Sequence, residues 1–251
     1  MKIRACLLLS LCLLPLAAMA DGAPAAATSS PPAAADSDPI GQFLKGQSFT
    51  LGYSYAQGTF KMSRGNTSSQ LTDNGRASPI INYTTGEWVL DKFPMKYGDG
   101  AIGVNLGGSF GEQDDHYQLN PQSSAVIGQQ LGSKVTGDYL TLAPLLYLRL
   151  GPVYPGTDSY WLFGYGPGVA LYHFSGNPVF YTPQTNGSYL ATSGPVSSSA
   201  TLFLFQTWRW QFHYGNWDVL FIGRQLSGRK VDGYNTSYED YSLGLAYTLR
   251  F

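Results

Sequence analysis

A strict period of two, repeated along most of the chain, constrains this sequence more than any other feature. In "EDYSLGLAYTLRF", Glu239 to Phe251, the residues Tyr241, Leu243, Leu245, Tyr247, Leu249 and Phe251 are apolar or aromatic, while Asp240, Ser242, Gly244, Ala246, Thr248 and Arg250 are small or polar. Successive strand residues point to opposite faces, so this run is a strand with one apolar and one wet side. Seven more such runs begin at Gln47. "SFTLGYSYA" sets Phe49, Leu51, Tyr53 and Tyr55 against small partners, and "PIINYTTGEWVL" from Pro79 is a weaker second run. "AIGVNLGGSF", "DYLTLAPLLYLRL", "SYWLFGYGPGVALYHF" and "TLFLFQTWRWQFHY" alternate plainly, and "NWDVLFIGRQL" is ambiguous. No helical period competes.

Alternation alone also fits a soluble sandwich, so the connections decide. Gly111 to Gly137, Gly176 to Ser199 and Ser227 to Glu239 read as long polar loops, as does the stretch between the first two runs; "GPVYPGTD" and "YGNW" are short turns. Long loops on one rim and short turns on the other predict an outer-membrane barrel. Trp88, Trp161, Trp210 and Trp217 all fall at the short-turn ends, where an interfacial girdle belongs. Lipid offers no partner to an unpaired amide, so the sheet must close, last strand on first. The expected fold is all-β: a transmembrane, eight-stranded, antiparallel up-and-down β-barrel over residues 46–251.

Composition agrees. Charged residues make up 12% of the chain, about half the usual share. "MKIRACLLLSLCLLPLAAMA" reads as a signal peptide over residues 1–20, with Lys2 and Arg4 before a short apolar run; Leu11 is too bulky for a lipobox ahead of Cys12. Residues 21–45, rich in Ala, Pro and Ser, read as a disordered periplasmic linker. Cys6 and Cys12, the only cysteines, leave with the signal, so the exported chain has no disulfide and no thiol chemistry. It keeps 13 basic residues against 16 acidic ones, which does not recommend nucleic acid as a partner. No phosphate-binding loop, metal-spaced ligand set or cofactor fingerprint appears, so neither a cofactor nor a metal is expected. His116, beside Asp114 and Asp115, reads as part of a solvated loop.

Parity places the charges. With Trp88, Trp210 and Trp217 outward, Glu87, Arg209 and Asp218 point inward, and Arg149 and Arg250 join them near the periplasmic end, with His213 beside them. Inward charges in a narrow barrel need partners, so these five are expected to form a plug of salt bridges, and a purely structural one is the simpler reading. An eight-stranded barrel barely holds its own side chains, which disfavours a wide porin.

"LTLAPLLYLRLG", a short turn and "YWLFGYGPGVALYHF" resemble the central hairpin of the OmpW family and its OmpA-like β-barrel relatives. The resemblance covers about thirty-five residues plus the terminal strand. It implies eight strands and passage of small hydrophobic molecules through a lateral opening, with Pro144, Gly164, Gly166 and Gly168 as the matching positions. The terminal strand resembles the signal read by the outer-membrane assembly machinery, which implies that role for Tyr247, Leu249 and Phe251.

Centring the turn on Pro155 and Gly156 sets Pro144 opposite Pro167 in mid-strand. Proline lacks a ladder donor, so two facing prolines weaken the seam beside a glycine-lined interior. One reading is a side port for an acyl chain or small hydrophobe, a feature similar to that of the lipid A palmitoyltransferase family. The other is that the glycines make room for bulky side chains such as Tyr147. The same register brings Asp138 near His173, with Ser175 two residues on. A carboxylate, an imidazole and a hydroxyl are the groups of nucleophilic acyl chemistry. The His-Phe-Ser stretch resembles the His-x-Ser of the lipid A deacylase family, but it comes early in the chain, and Gly176 stands where that family has Asn. Two functional classes follow. One is a non-enzymatic barrel with surface loops, contacting outer-membrane lipid and lipopolysaccharide and passing small hydrophobes; the other is a lipid-modifying outer-membrane enzyme.

Overall fold

The computed structural model describes residues 46–73, 75–119, 126–128 and 133–250. The expected signal peptide and linker, and Phe251, lie outside them. Fourteen strands run through the described residues: β1 (Ser48–Arg64), β2 (Thr67–Thr72), β3 (Arg76–Thr84), β4 (Trp88–Met95), β5 (Gly98–Asp115), β6 (Tyr117–Gln118), β7 (Val126–Ile127), β8 (Val135–Leu150), β9 (Ser159–Gly176), β10 (Val179–Pro183), β11 (Tyr189–Ser193), β12 (Val196–Tyr214), β13 (Trp217–Val231) and β14 (Tyr234–Arg250). Eight of them form a ring in the order β1, β3, β5, β8, β9, β12, β13, β14, antiparallel at every seam. β14 closes it on β1 from Ser48↔Arg250 to Ser63↔Asn235. Closure leaves this ring without a free edge.

Leu146, Leu204, Leu243 and Leu245 are 54–68% exposed on the outer wall, a degree of aliphatic exposure that only a non-aqueous surrounding accounts for. Trp88, Trp161, Trp210 and Trp217 also face outward, at the rim where β8 turns into β9 and β12 into β13. The protein is therefore a transmembrane barrel of the bacterial outer-membrane type.

The weak second run is a broken strand. β5 pairs β3 as far as Thr84↔Gly107 and resumes on β4 at Trp88↔Val104, so three residues oppose two, a bulge. Thr85 stands in for the ladder: its N donates to Leu106 O at 2.9 Å, and its Oγ1 accepts from Leu106 N at 3.0 Å. The bulge turns Glu87 toward the lumen.

The outer rim is more regular than its polar sequence suggests. β2 folds back on β1, β10 pairs β11 and touches β2, and β7 joins β11. Ser227 to Glu239, expected as a long loop, is instead the ends of β13 and β14, joined by Asp232 and Gly233. Their φ values of 51° and 81° are those of a two-residue Asp-Gly hairpin turn. Polar outward residues here mark the exit from hydrocarbon, while the ladder continues past it.

Inside, the outer half is filled. Phe60, Tyr139, Tyr172, Phe174, Phe203 and Tyr238 are fully buried in one cluster. Tyr172 lies 5.1 Å from Phe174 and 5.4 Å from Phe203 between ring centroids, ordinary aromatic packing distances. An eight-stranded barrel with such a core has no through-channel at this level.

Candidate functional site

Below the aromatic core the lumen opens, at the tryptophan-bearing rim, into a cavity of about 390 Å³. Glu87 comes to it from the β3–β4 break, Arg149 from β8, Arg209 from β12 and Arg250 from β14. Arg149 Nη1 bridges Glu87 Oε2 at 2.7 Å, and Tyr147 OH donates to the same oxygen at 3.1 Å. Arg250 bridges Asp158, in the β8–β9 turn, at 2.5 Å and donates to Tyr160 OH at 3.2 Å and to His213 Nε2 at 2.6 Å.

His213 is fully buried and stacks on Tyr160 with ring centroids 4.6 Å apart. Arginine only donates, so Nε2 carries the lone pair, and Nδ1–H points to Asp218 Oδ1 at 2.7 Å. Asp218 also accepts from Gln211 Nε2 at 2.5 Å and from the Thr248 hydroxyl. The expected five-member salt-bridge plug is therefore divided. Of Glu87, Arg149, Arg209, Asp218 and Arg250, only the Glu87–Arg149 pair forms a bridge within the five among the described residues. The cause is register: His213 sits directly opposite Asp218 across the β12–β13 seam, so neutral donors reach this carboxylate first. Arg250 goes instead to Asp158, and Arg209 is left with no ion pair among the described residues.

A second buried network lies higher, within the core. Arg224 and Asp240 are direct cross-strand partners, bridged at 3.1 Å. Tyr139 OH donates to Asp240 and accepts from Arg224 Nη1 at 2.5 Å. Parity puts both charged residues inward, but the ambiguous seventh run hid Arg224. Asp115, expected beside His116 in a solvated loop, is fully buried at the end of β5 and accepts from Gln113 Nε2 at 2.5 Å.

Pro144 and Pro167 both face outward. The β8–β9 ladder runs to Leu142↔Val169 and resumes at Leu146↔Tyr165, and this register sets the two prolines face to face. The strands nonetheless stay in contact: a Cβ on Gly166 would lie 2.0 Å from Pro144 O. Gly164 and Gly103 flank Tyr147, directly opposite it on β9 and β5, and Gly164 is also opposite Arg209. Gly103 makes room for Tyr147, whose hydroxyl would lie 2.3 Å from a Cβ there, whereas a Cβ at Gly164 would meet only ordinary contacts.

Asp138 and His173 are cross-strand partners with Oδ1 to Nδ1 at 3.5 Å, on the outward face near the outer rim. Ser175 is the next outward residue on β9, about 7 Å further along the strand. The described residues give Ser175 no hydrogen bond to His173. Tyr247 and Leu249 face outward beside Trp217 and Phe49. Among the described residues no group of three His, Cys, Asp or Glu side chains is placed to hold a metal ion.

No family model matches the sequence. No curated protein matches it either. Among solved structures, the attachment invasion locus protein Ail of Yersinia pestis, in complex with the heparin analogue sucrose octasulfate, is similar over 82% of this chain and 99% of its own, at 14% identity and a TM-score of 0.36. Neisserial surface protein A (NspA) matches 79% of this chain and 96% of its own, at 10% identity and a TM-score of 0.40. The outer membrane enzyme PagL matches 80% and 98%, at 14% identity and a TM-score of 0.36. At these scores the likeness says nothing about activity, and the fold rests on the ring of ladders itself.

Proposed function

We propose that this protein is a non-enzymatic outer-membrane barrel whose work is done by its outer face. One observation carries the reading: the strands continue beyond the apolar wall into a hydrogen-bonded outer sheet, above a lumen filled with aromatic side chains. A filled barrel under a rigid rim suits presentation of a surface better than bulk passage. Outer-membrane lipid and lipopolysaccharide are the partners of the wall, and Tyr247, Leu249 and Phe251 are the signal for the assembly machinery. Reconstituted into liposomes, the protein should leave sugar-driven swelling at the rate of empty vesicles; swelling that depends on solute size would sink the reading.

The interrupted β8–β9 ladder favours a second reading, lateral passage of a small hydrophobe or acyl chain at Pro144 and Pro167, beside Gly164, Gly166 and Gly168. Uptake of a fluorescent fatty acid by cells carrying wild type or the Pro144→Val/Pro167→Val variant separates the two, since lateral passage requires the variant to be slower. The lipid-modifying alternative has the Asp138–His173 pair in its favour, but among the described residues Ser175 makes no hydrogen bond to His173. Mass spectra of lipid A from cells expressing wild type and Ser175→Ala should be the same.

A further inference from the structure

We propose that the cavity at the tryptophan-bearing rim binds a small oxyanion, a carboxylate or a phosphate, on the guanidinium of Arg209. The side chain lines this cavity and also a small void of about 40 Å³ above it, deeper in the lumen. It is 9% exposed, and its Nε is buried without an acceptor. A guanidinium carries five N–H donors, and a buried cation left without acceptors is unfavourable unless something in the cavity supplies them.

The nearby protein groups do not. Asp218 attracts Arg209 electrostatically, but its oxygens are already occupied by His213, Gln211 and Thr248. Glu87 is held by Arg149, and Asp158 by Arg250. The charged groups of the wall are therefore two neutralised pairs and one cation facing open space, and the unpaired Asn105 Oδ1 on the same wall takes no hydrogen bond from Arg209. The planar fork of arginine matches a carboxylate or phosphate bidentately. Leu145 and Leu162, also on the wall, would cover a short apolar tail. At about 390 Å³ the cavity falls within the range of small-molecule sites. Gly164, directly opposite Arg209, leaves the approach clear, since a Cβ there would still be 3.9 Å from that of Arg209.

The test is calorimetric titration of the refolded full chain in detergent with acetate, hexanoate and inorganic phosphate, at constant ionic strength against chloride. At least one should bind saturably. Tighter binding of hexanoate identifies a carboxylate with an apolar tail, and tighter binding of phosphate identifies a phosphate. Arg209→Gln should weaken the best of them roughly tenfold or more, the loss of a charge-assisted pair. If that variant does not refold, Arg209→Lys keeps the charge without the fork and should weaken binding several-fold. The proposal is overturned if none of the three binds wild type above chloride, or if the variant that folds binds as wild type does.

Discussion

Pro144 faces Pro167 at a position where each would donate to the other. In an antiparallel ladder, opposed residues alternate between exchanging both hydrogen bonds and exchanging none. Two prolines at an exchanging pair remove both donors, and the flanking pairs that share those donors vanish with them. This accounts for the gap between Leu142↔Val169 and Leu146↔Tyr165. The ladders on the far sides continue, through Leu106↔Pro144 and Gln206↔Pro167. The barrel thus has a local seam without losing either strand.

Restoring the donors should close the seam. The Pro144→Val/Pro167→Val variant regains two N–H groups in a layer where water cannot substitute, worth roughly 1–3 kcal/mol after the lost rigidity of proline is set against it. Urea unfolding should show the gain. Hydrogen exchange should find the amides of residues 144 and 167 slow; fast exchange there would mean that the strands are held apart by something other than the prolines.

Gly166 and Gly164 should respond differently to the same substitution. A Cβ at Gly166 would meet Pro144 O at 2.0 Å, while at Gly164 the nearest atom is 3.7 Å away, ordinary contact. Gly166→Ala must push β8 aside and should cost about 1–3 kcal/mol. Gly164→Ala should stay within about 0.5 kcal/mol of wild type. Equal costs would show that the seam adapts freely.

The wall was legible in the sequence wherever outward residues declare themselves by the period of two, and least so in β13, where the inward Leu220 and Ile222 are as apolar as the outward Val219 and Phe221. The rims were not. At Ser227 to Glu239 polarity imitated a loop, although Asp232-Gly233 carried the hairpin signature, and at Thr85 the bulge erased the period locally. The interior was legible in direction but not in pairing. Parity sends Arg250 inward, but its partner Asp158 lies 92 residues away, and only the stagger of the ring brings them together. Arg209 shows the same limit: the sequence supplies the inward cation, and the register of His213 against Asp218 takes its carboxylate away.

Arg224 and Asp240 should be costly to separate and cheap to remove together. Each is almost fully buried, and Asp240 Oδ2 takes donors from both Arg224 and Tyr139. Arg224→Met leaves a carboxylate in the core without its cation and should cost about 3–5 kcal/mol. Arg224→Met with Asp240→Leu replaces the pair by apolar volume and should recover most of that. Additive losses in a double-mutant cycle would show that the two residues act independently.

Asp115 makes stability fall with rising pH. It lies beyond Phe110, the last apolar outward residue of β5, and past exposed Glu112, so it belongs to the outer extension and not to the hydrocarbon layer. Burial, with a smaller contribution from Asp73, raises its carboxyl to about 7, against the pull of Gln113 and Arg76. The unfolded chain releases this proton near the ordinary value of about 3.9, so between that pH and about 7 the folded protein holds more protons and loses stability as pH rises. Asp115→Asn has no proton to lose. Thermal unfolding from about pH 5 to about pH 8 should therefore show wild type falling away from Asp115→Asn, with the gap widening until the carboxyl is fully ionised near the upper end. Parallel curves for the two proteins would mean that Asp115 stays ionised when folded, with Arg76 or water reaching the oxygen that here has no donor.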